Sequence, residues 1–184
     1  MYSGGALVDG LRAAGLEVRV AEAGRPERHV VGMGWGKRSQ LLIEIGREPI
    51  RWVNVVTQAR GQKTQHTNIY VIPGSSISEE GWLRAARVKT IPVFGRVVDL
   101  RWKGKMAVSL IRRLDQDVLL SETLMRLKED IEIRSEPEFG CWSLVSLQHK
   151  FDFRTGHLWQ PAPSAEKWEC YRTIARHLLG HKGT

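Results

Sequence analysis

The sequence predicts an α+β fold in which antiparallel strands form the sheet and helices pack on one face of it. Several short runs alternate between apolar and polar side chains or are rich in β-branched residues, as half-buried strands are. The connections between these runs are shorter than the crossovers of about a dozen residues that parallel strands need. Stretches with helical spacing of apolar residues lie between the groups of strands, which is the element order of α+β proteins.

The first third of the chain predicts one helix and then an antiparallel meander. Apolar residues at helical spacing and the helix-ending residue Gly15 predict a helix over Gly5–Ala14. The runs that follow are separated by turns containing Gly or Pro, which reverse a chain at little cost. The predicted strands are Leu16–Glu22, His29–Met33, Gln40–Ile45 and Ile50–Thr57.

The middle of the chain predicts a polar loop, a short helix and a hairpin. Residues 58–66 are almost entirely polar and are predicted to form a mobile loop before a strand at Thr67–Ile72. The Ser-x-x-Glu pattern that begins at Ser76 is a capping box and predicts a helix through Ala86. The strands of the predicted hairpin are Val88–Phe94 and Arg96–Trp102.

The last part of the chain predicts a helical region, a second group of strands and a closing helix. Leucines with helical phasing between Met106 and Lys128 predict one long helix, or a pair divided near Asp115–Asp117. Ser164 is a good N-cap for a final helix with an apolar face. The strands predicted between these helices are Ile131–Arg134, Cys141–Leu147 and Lys150–Phe153.

Length and composition predict a single domain of ordinary globular type, residues 1–184, that needs no cofactor to fold. A loose recurrence of helix and strands in both halves makes a subdivision into 1–72 and 73–184 the alternative. No apolar run approaches the roughly 18 residues of a membrane span. The N-terminus lacks the pattern of a secretory signal, and Cys141 and Cys170 form no Cys-x-x-Cys pair. A cytoplasmic location with free thiols is therefore predicted.

The net charge of +8 is the most unusual property of the sequence. Residues 1–72 hold ten basic and six acidic side chains, and residues 73–113 hold nine and three. Residues 114–184 hold nine and eleven, so the excess is densest in the middle. A basic excess favours an acidic partner, with nucleic acid as the first expectation and an acidic protein as the second.

The basic middle mixes cations with Trp82 and Trp102. Cations neutralise phosphates and flat aromatic rings stack on unpaired bases, so this mixture is typical of a nucleic-acid-binding surface. The alternative is that the arginines pair with the eight acids of Asp115–Glu138 and the tryptophans pack in the core. The predicted binding residues are Arg84, Arg87, Lys89, Arg96, Arg101, Trp102, Lys103 and Lys105.

Three further patterns are interpreted as structural. The Gly-rich segment 32–39 lacks the spacing of a phosphate-binding loop and joins two predicted strands, so it is interpreted as a turn. His177 and His181 are interpreted as residues at a helix C-terminus, so no metal site is predicted. Cys141 with a nearby histidine resembles a nucleophile and its base, but its apolar surroundings favour a buried structural thiol.

The sequence therefore predicts a non-enzymatic binding or interaction domain whose basic middle contacts an acidic partner. Two alternatives remain open. One is a metal-dependent nuclease or hydrolase, because carboxylates beside a basic surface can hold a metal ion next to a phosphate. Its candidate carboxylates are Asp99, Asp115, Asp117 and Glu122. The other is a structural or assembly subunit, with the tryptophans and the charge asymmetry forming a self-complementary or heteromeric interface.

Overall fold

The computed structural model describes residues 4–21, 37–60, 63–74, 77, 79–89, 97–153 and 156–180, with the backbone alone for Arg60, Lys89 and Val98. These residues form four helices and ten strands, so the predicted α+β class is confirmed. The helices are α1 (Gly4–Ala13), α2 (Val108–Gln116), α3 (Val118–Arg126) and α4 (Ala165–Leu178), with a short 3-10 helix at Pro137–Phe139. The strands are β1 (Val18–Val20), β2 (Lys37–Ile45), β3 (Trp52–Arg60), β4 (Lys63–Pro73), β5 (Trp82–Lys89), β6 (Val97–Lys105), β7 (Ile131–Glu136), β8 (Cys141–Ser146), β9 (Lys150–Asp152) and β10 (His157–Trp159).

One sheet joins strands from both ends of the chain. Its order is β1-β2-β3-β4-β8-β7-β5-β6, and all neighbours in this order are antiparallel. β10 pairs in parallel with β4, where Leu158 lies opposite Gln65, and pairs antiparallel with β9. Because β8 lies between β4 and β7, the early meander and the later strands share one continuous sheet.

The main core lies between the helices and one face of the sheet, the helical face. Residues directly opposite one another on neighbouring strands point to the same face. Val53 and Tyr70 are such a pair, and Tyr70 contacts two rings of α4, that of Trp168 edge-on and that of Tyr171 at an interplanar angle of 52°. The other side of the sheet, the open face, carries a smaller buried cluster of Val56, Ile69, Val71 and Cys141. None of the helices in the described part of the chain is long and apolar enough to cross a bilayer.

Asp117 divides the helical region into α2 and α3, which confirms the pair of helices as the correct alternative. Its N–H donates to the Leu114 carbonyl at the end of α2, at 3.3 Å, and its side chain accepts from the N–H of Leu120 at 3.0 Å. The second carboxylate oxygen lies 2.8 Å from Nε2 of His177 near the end of α4. Ser164 caps α4 as predicted and accepts from the N–H of Lys167 at 3.2 Å.

The loop predicted over residues 58–66 is wrong. β3 continues to Arg60 and β4 begins at Lys63, and the two strands remain paired to that point. Gly61 and Gln62 lie outside the described residues. Strand pairing requires only backbone hydrogen bonds. The hairpin of β3 and β4 therefore continues through residues with polar side chains, where few apolar groups are buried.

The helix predicted from Ser76 to Ala86 is also wrong, because its second half belongs to β5. Leu83 and Ala85 are buried in the core, whereas Trp82 is exposed to solvent. This alternation of buried and exposed side chains is that of a strand. β5 is paired with β6 on one side and β7 on the other, and this pairing outweighs the local helix preference. The strand predicted over His29–Met33 lies outside the described residues.

A buried carboxylate connects the end of α3 to α4 and β8. Glu129 is 1% exposed, and its side chain lies 2.6 Å from Nζ of Lys167. The hydroxyls of Ser146 and Tyr171 also donate to Glu129. Burial above all, then Tyr70 and then the charge of Glu129, raise the pKa of Tyr171 well above its ordinary value, so its hydroxyl keeps its proton. These donors compensate a charge that would otherwise be costly to bury.

Because of His66, we expect the protein to lose stability in mild acid. Its buried ring on β4 lies 5.6 Å from that of His157 on β10, and burial first and His157 second lower the pKa of His66 below 6.5. The folded state therefore favours neutral His66. Its contribution to the free energy of unfolding is complete above the unfolded-state pKa and is lost as the pH falls through the folded-state pKa. We expect His66→Gln, measured by thermal unfolding between about pH 7.5 and 5, to lose less stability on acidification than the wild type. Parallel pH curves for the two proteins would contradict this.

Candidate nucleic-acid interface

Four of the eight predicted binding residues lie together on the open face. Arg84 is on β5, and Arg101, Lys103 and Lys105 alternate along β6, all with exposed side chains. Arg84 lies directly opposite Lys103, and Trp82 lies directly opposite Lys105. Directly opposed residues share a face, so these five side chains form one surface, which we name the basic patch.

The other predicted residues do not join this surface within the described structure. Trp102 is buried in the core on the helical face, so it cannot stack on a base. Arg87 binds Asp130 through two contacts, Nε to Oδ1 at 2.9 Å and Nη2 to Oδ2 at 2.6 Å. This ion pair is an example of the alternative left open by the sequence, in which arginines of the basic middle pair with acids of Asp115–Glu138. The side chain of Lys89 and the whole of Arg96 lie outside the described residues.

Trp82 is the exposed aromatic residue of this surface, although the predicted binding residues included Trp102 in its place. It is 46% exposed and lies between Lys105 of β6 and Arg134 of β7. The alternation of Trp82 with buried Leu83 is the signal that identifies its outward direction. That signal was hidden because the capping box and alanines of this segment favour a helix.

The cations of the basic patch differ in how far they are neutralised. Arg101 donates to Asp99 at 2.7 Å, and the N–H of Leu100 donates to the same carboxylate at 2.8 Å. The Leu100 N–H first and Arg101 second lower the pKa of Asp99. Ion pairs of Arg84, Lys103 and Lys105 are absent among the described residues. These three cations are therefore the ones that can neutralise an external anion.

Acidic residues border the basic patch on two sides. Glu132 of β7 lies opposite Arg84 but binds Arg134, with 2.6 Å between the guanidinium and the carboxylate. Glu79 and Glu80 line, with Lys105, a groove of about 460 Å³ beside the start of α2. The positive surface therefore has defined edges and follows the β5–β6 hairpin.

Three of the four carboxylates considered for a hydrolase bind backbone groups. Asp115 accepts from the N–H of Trp102 at 3.0 Å, and Asp99 accepts from that of Leu100. β6 is the last strand in the sheet order, so these two carboxylates occupy N–H groups through which another strand would pair. Asp117 caps α3, and Glu122 is exposed on that helix. Across the described ranges, His, Cys, Asp and Glu side chains form no group of three that can hold a metal ion.

Both thiols are free, and the burial predicted for Cys141 is found for Cys170 as well. Cys141 lies in the cluster on the open face, and burial raises the pKa of its thiol to about 12. Cys170 lies in the core on α4, and burial raises the pKa of that thiol to about 11. The thiolate is the reactive form, so neither side chain is suited to nucleophilic chemistry.

Another groove, of about 590 Å³, lies on the open face and crosses β3, β4, β8 and β7. Its volume is within the range of small-molecule sites, and Val56, Ile69 and Val145 form part of its lining. Glu132, Glu136 and Glu138 line its other side, and Glu136 accepts from the Ser143 hydroxyl at 2.8 Å. Lys37 and Arg134 also line this groove, and Arg134 pairs with Glu132. The three carboxylates outnumber these two cations, so we do not include this groove in the candidate interface.

Comparison with known proteins assigns the chain to no family. No protein-family model, curated protein or solved structure matches it. Its function is therefore argued from the chemistry and geometry of its own surface.

Proposed function

We propose that this protein binds single-stranded nucleic acid on the basic patch of its open face. The observation that carries the proposal is that Arg84, Lys103 and Lys105, which form no ion pair among the described residues, share one strand face with half-exposed Trp82. Cations neutralise phosphates, and an indole ring stacks on a base.

The geometry of the patch favours a single strand over a duplex. Alternate residues of a strand are roughly 7 Å apart on one face, so Arg101, Lys103 and Lys105 form a line along β6. An extended single strand can lie along this line with a base against Trp82. A free two-stranded ribbon can enter the major groove of a duplex, but β5 is also paired with β7, so this hairpin is part of a continuous sheet and presents a face to its ligand.

The two alternatives from the sequence are less well supported. The carboxylates of the hydrolase alternative already bind backbone groups at the sheet edge and a helix end, apart from Glu122. The assembly-subunit alternative stays a prediction. The binding proposal rests on exposed and unneutralised groups, which is why we prefer it.

Removing the three unneutralised cations is expected to weaken binding of a fluorescent single-stranded oligonucleotide by roughly tenfold or more at low salt, because three phosphate contacts are lost. Fluorescence anisotropy of the oligonucleotide measures this loss of affinity. The variant combines Arg84→Gln, Lys103→Gln and Lys105→Gln. A matched variant removes the same charge from three exposed arginines on other parts of the surface, Arg12→Gln, Arg51→Gln and Arg112→Gln.

The matched variant separates the patch from the overall charge of +8. We expect it to retain most of the wild-type affinity. Equal losses in the two variants would show that net charge alone is responsible, and absence of wild-type binding at low salt would overturn the proposal outright. Trp82→Ala provides an independent readout, because loss of a stacked base weakens binding by about fivefold or more without changing the charge.

A further inference from the structure

The groove of about 590 Å³, which we name the open-face groove, has an apolar floor. Val145 of β8 lies directly opposite Ile69 of β4, and Val56 of β3 lines the same groove. Val56 and Ile69 belong to the buried cluster of the open face, and Val145 packs against that cluster. A concave apolar surface of this size allows a small ligand to bury an apolar body.

The carboxylate of Glu136 lies beside this floor. It accepts from the hydroxyl of Ser143 at 2.8 Å, and Ser143 is two residues from Val145 on the same face of β8. The carboxylate is therefore on the order of 7 Å along the strand from the apolar floor. Glu136 is half-buried, and among the described residues it forms no ion pair. Its negative charge is available to an external cation.

The two cations that line the open-face groove do not neutralise Glu136. Arg134 binds Glu132, with 2.7 Å from its Nε to the carboxylate. Lys37 is aligned through β3 with Gln65 of β4, whereas Glu136 is aligned through β8 with Pro73 of the same strand. Eight positions separate Gln65 from Pro73, roughly 26 Å of strand. Lys37 and Glu136 therefore lie at opposite ends of the groove.

We propose that the open-face groove binds a small organic amine. The ammonium group donates charge-assisted hydrogen bonds to the Glu136 carboxylate, and the apolar body covers Ile69 and Val145. Exposed Glu138, which also lines the groove, adds to the negative potential. A metal ion is a poorer fit, because His, Cys, Asp and Glu form no group of three that can hold one in the described part of the chain.

This site is separate from the proposed nucleic-acid interface. The basic patch belongs to β5 and β6, whereas Glu136 and the apolar floor belong to β7, β8, β4 and β3. Amine binding is therefore expected whether or not the protein binds an oligonucleotide.

Titration with three ligands of similar shape tests the proposal. The ligands are naphthylethylamine, which is cationic, naphthylethanol, which is neutral, and naphthylacetate, which is anionic. NMR chemical shifts of the backbone amides measure each affinity and locate each site. We expect the wild type to bind the amine at least about fivefold more tightly than the alcohol, because charge-assisted hydrogen bonds are stronger than neutral ones. The acetate is expected to bind most weakly, and the amides of Ser143 and Val145 are expected to shift more than those of α3.

Two variants separate the charge from the apolar floor. Glu136→Gln removes the charge and keeps an oxygen that accepts from Ser143, so it is expected to weaken amine binding at least about fivefold and to leave alcohol binding nearly unchanged. Val145→Thr places a hydroxyl in the floor and is expected to weaken the amine and the alcohol by the same factor, roughly threefold. Glu122→Gln, which removes an exposed carboxylate of α3, is the matched control and is expected to retain the wild-type affinities.

Several results would overturn the proposal. They are failure of the wild type to bind the amine, equal affinities for the amine and the alcohol, or an acetate that binds as tightly as the amine. Equal effects of Glu136→Gln and Glu122→Gln would also overturn it, as would shifts of the amide signals that leave β7 and β8 unaffected.

Discussion

Glu129→Ala is expected to destabilise the protein by about 3–5 kcal/mol, the usual cost of removing one partner of a buried ion pair. Glu129 accepts from Ser146 and Tyr171 and pairs with Lys167, so its loss leaves three donors without their acceptor. Tyr171 is fully buried and cannot turn to water instead. The change connects three elements at once, because these donors lie on β8 and α4 while Glu129 follows α3.

Chemical denaturation measures this loss, and Glu138→Ala is the control, since Glu138 is an exposed carboxylate of the 3-10 helix. That variant is expected to unfold close to the wild-type midpoint. Lys167→Met in a double-mutant cycle with Glu129→Ala isolates the pair, and the double variant is expected to lose less than the sum of the single changes. Additive losses, or a midpoint for Glu129→Ala equal to that of Glu138→Ala, would show that the network contributes little.

Gly104→Ala is expected to be the most damaging small change in the candidate interface, at roughly 2–5 kcal/mol of stability. A Cβ at Gly104 would lie 2.0 Å from the carbonyl oxygen of Trp82 and 2.8 Å from the Cα of Leu83. The φ of +157° is also one that other residues rarely adopt. β6 would therefore have to separate from β5, which distorts the basic patch, and oligonucleotide binding is expected to fall with stability.

Gly15→Ala is the control for the backbone component of this effect. Gly15 also has a positive φ, +84°, but a Cβ there would meet no atom within 4 Å. We expect a loss of only about 1–2 kcal/mol, from backbone strain without a steric clash, and unchanged oligonucleotide affinity. Denaturation midpoints measure both variants, and equal losses in Gly104→Ala and Gly15→Ala would show that the close approach of β5 and β6 is not the cause.

The helices were predictable because their signals are local. Asp117 and Ser164 are capping residues that act within three positions of themselves, and the apolar face of α4 repeats with the helical period. β5 was not predictable in this way. Its stability as a strand comes from pairing with β6 and β7, and β7 lies more than forty residues further along the chain.

The candidate site was predicted in composition but not in detail. Charge counting identifies Arg84 and the cations of β6, but it cannot distinguish exposed Trp82 from buried Trp102 until the strand register is known. It also cannot separate Arg84 from Arg87, which pairs with Asp130 across 43 positions of sequence. Exposure and pairing depend on contacts between distant segments, so they appear only in the folded chain.

The salt dependence of oligonucleotide binding tests the basic patch most directly. Each phosphate that a protein neutralises on a single strand contributes about 0.7 to the slope of log affinity against log salt concentration. The proposal predicts that the variant lacking Arg84, Lys103 and Lys105 has a slope shallower than that of the wild type by about 2. Identical slopes for the two proteins, or a wild-type affinity that does not change with salt, would contradict it.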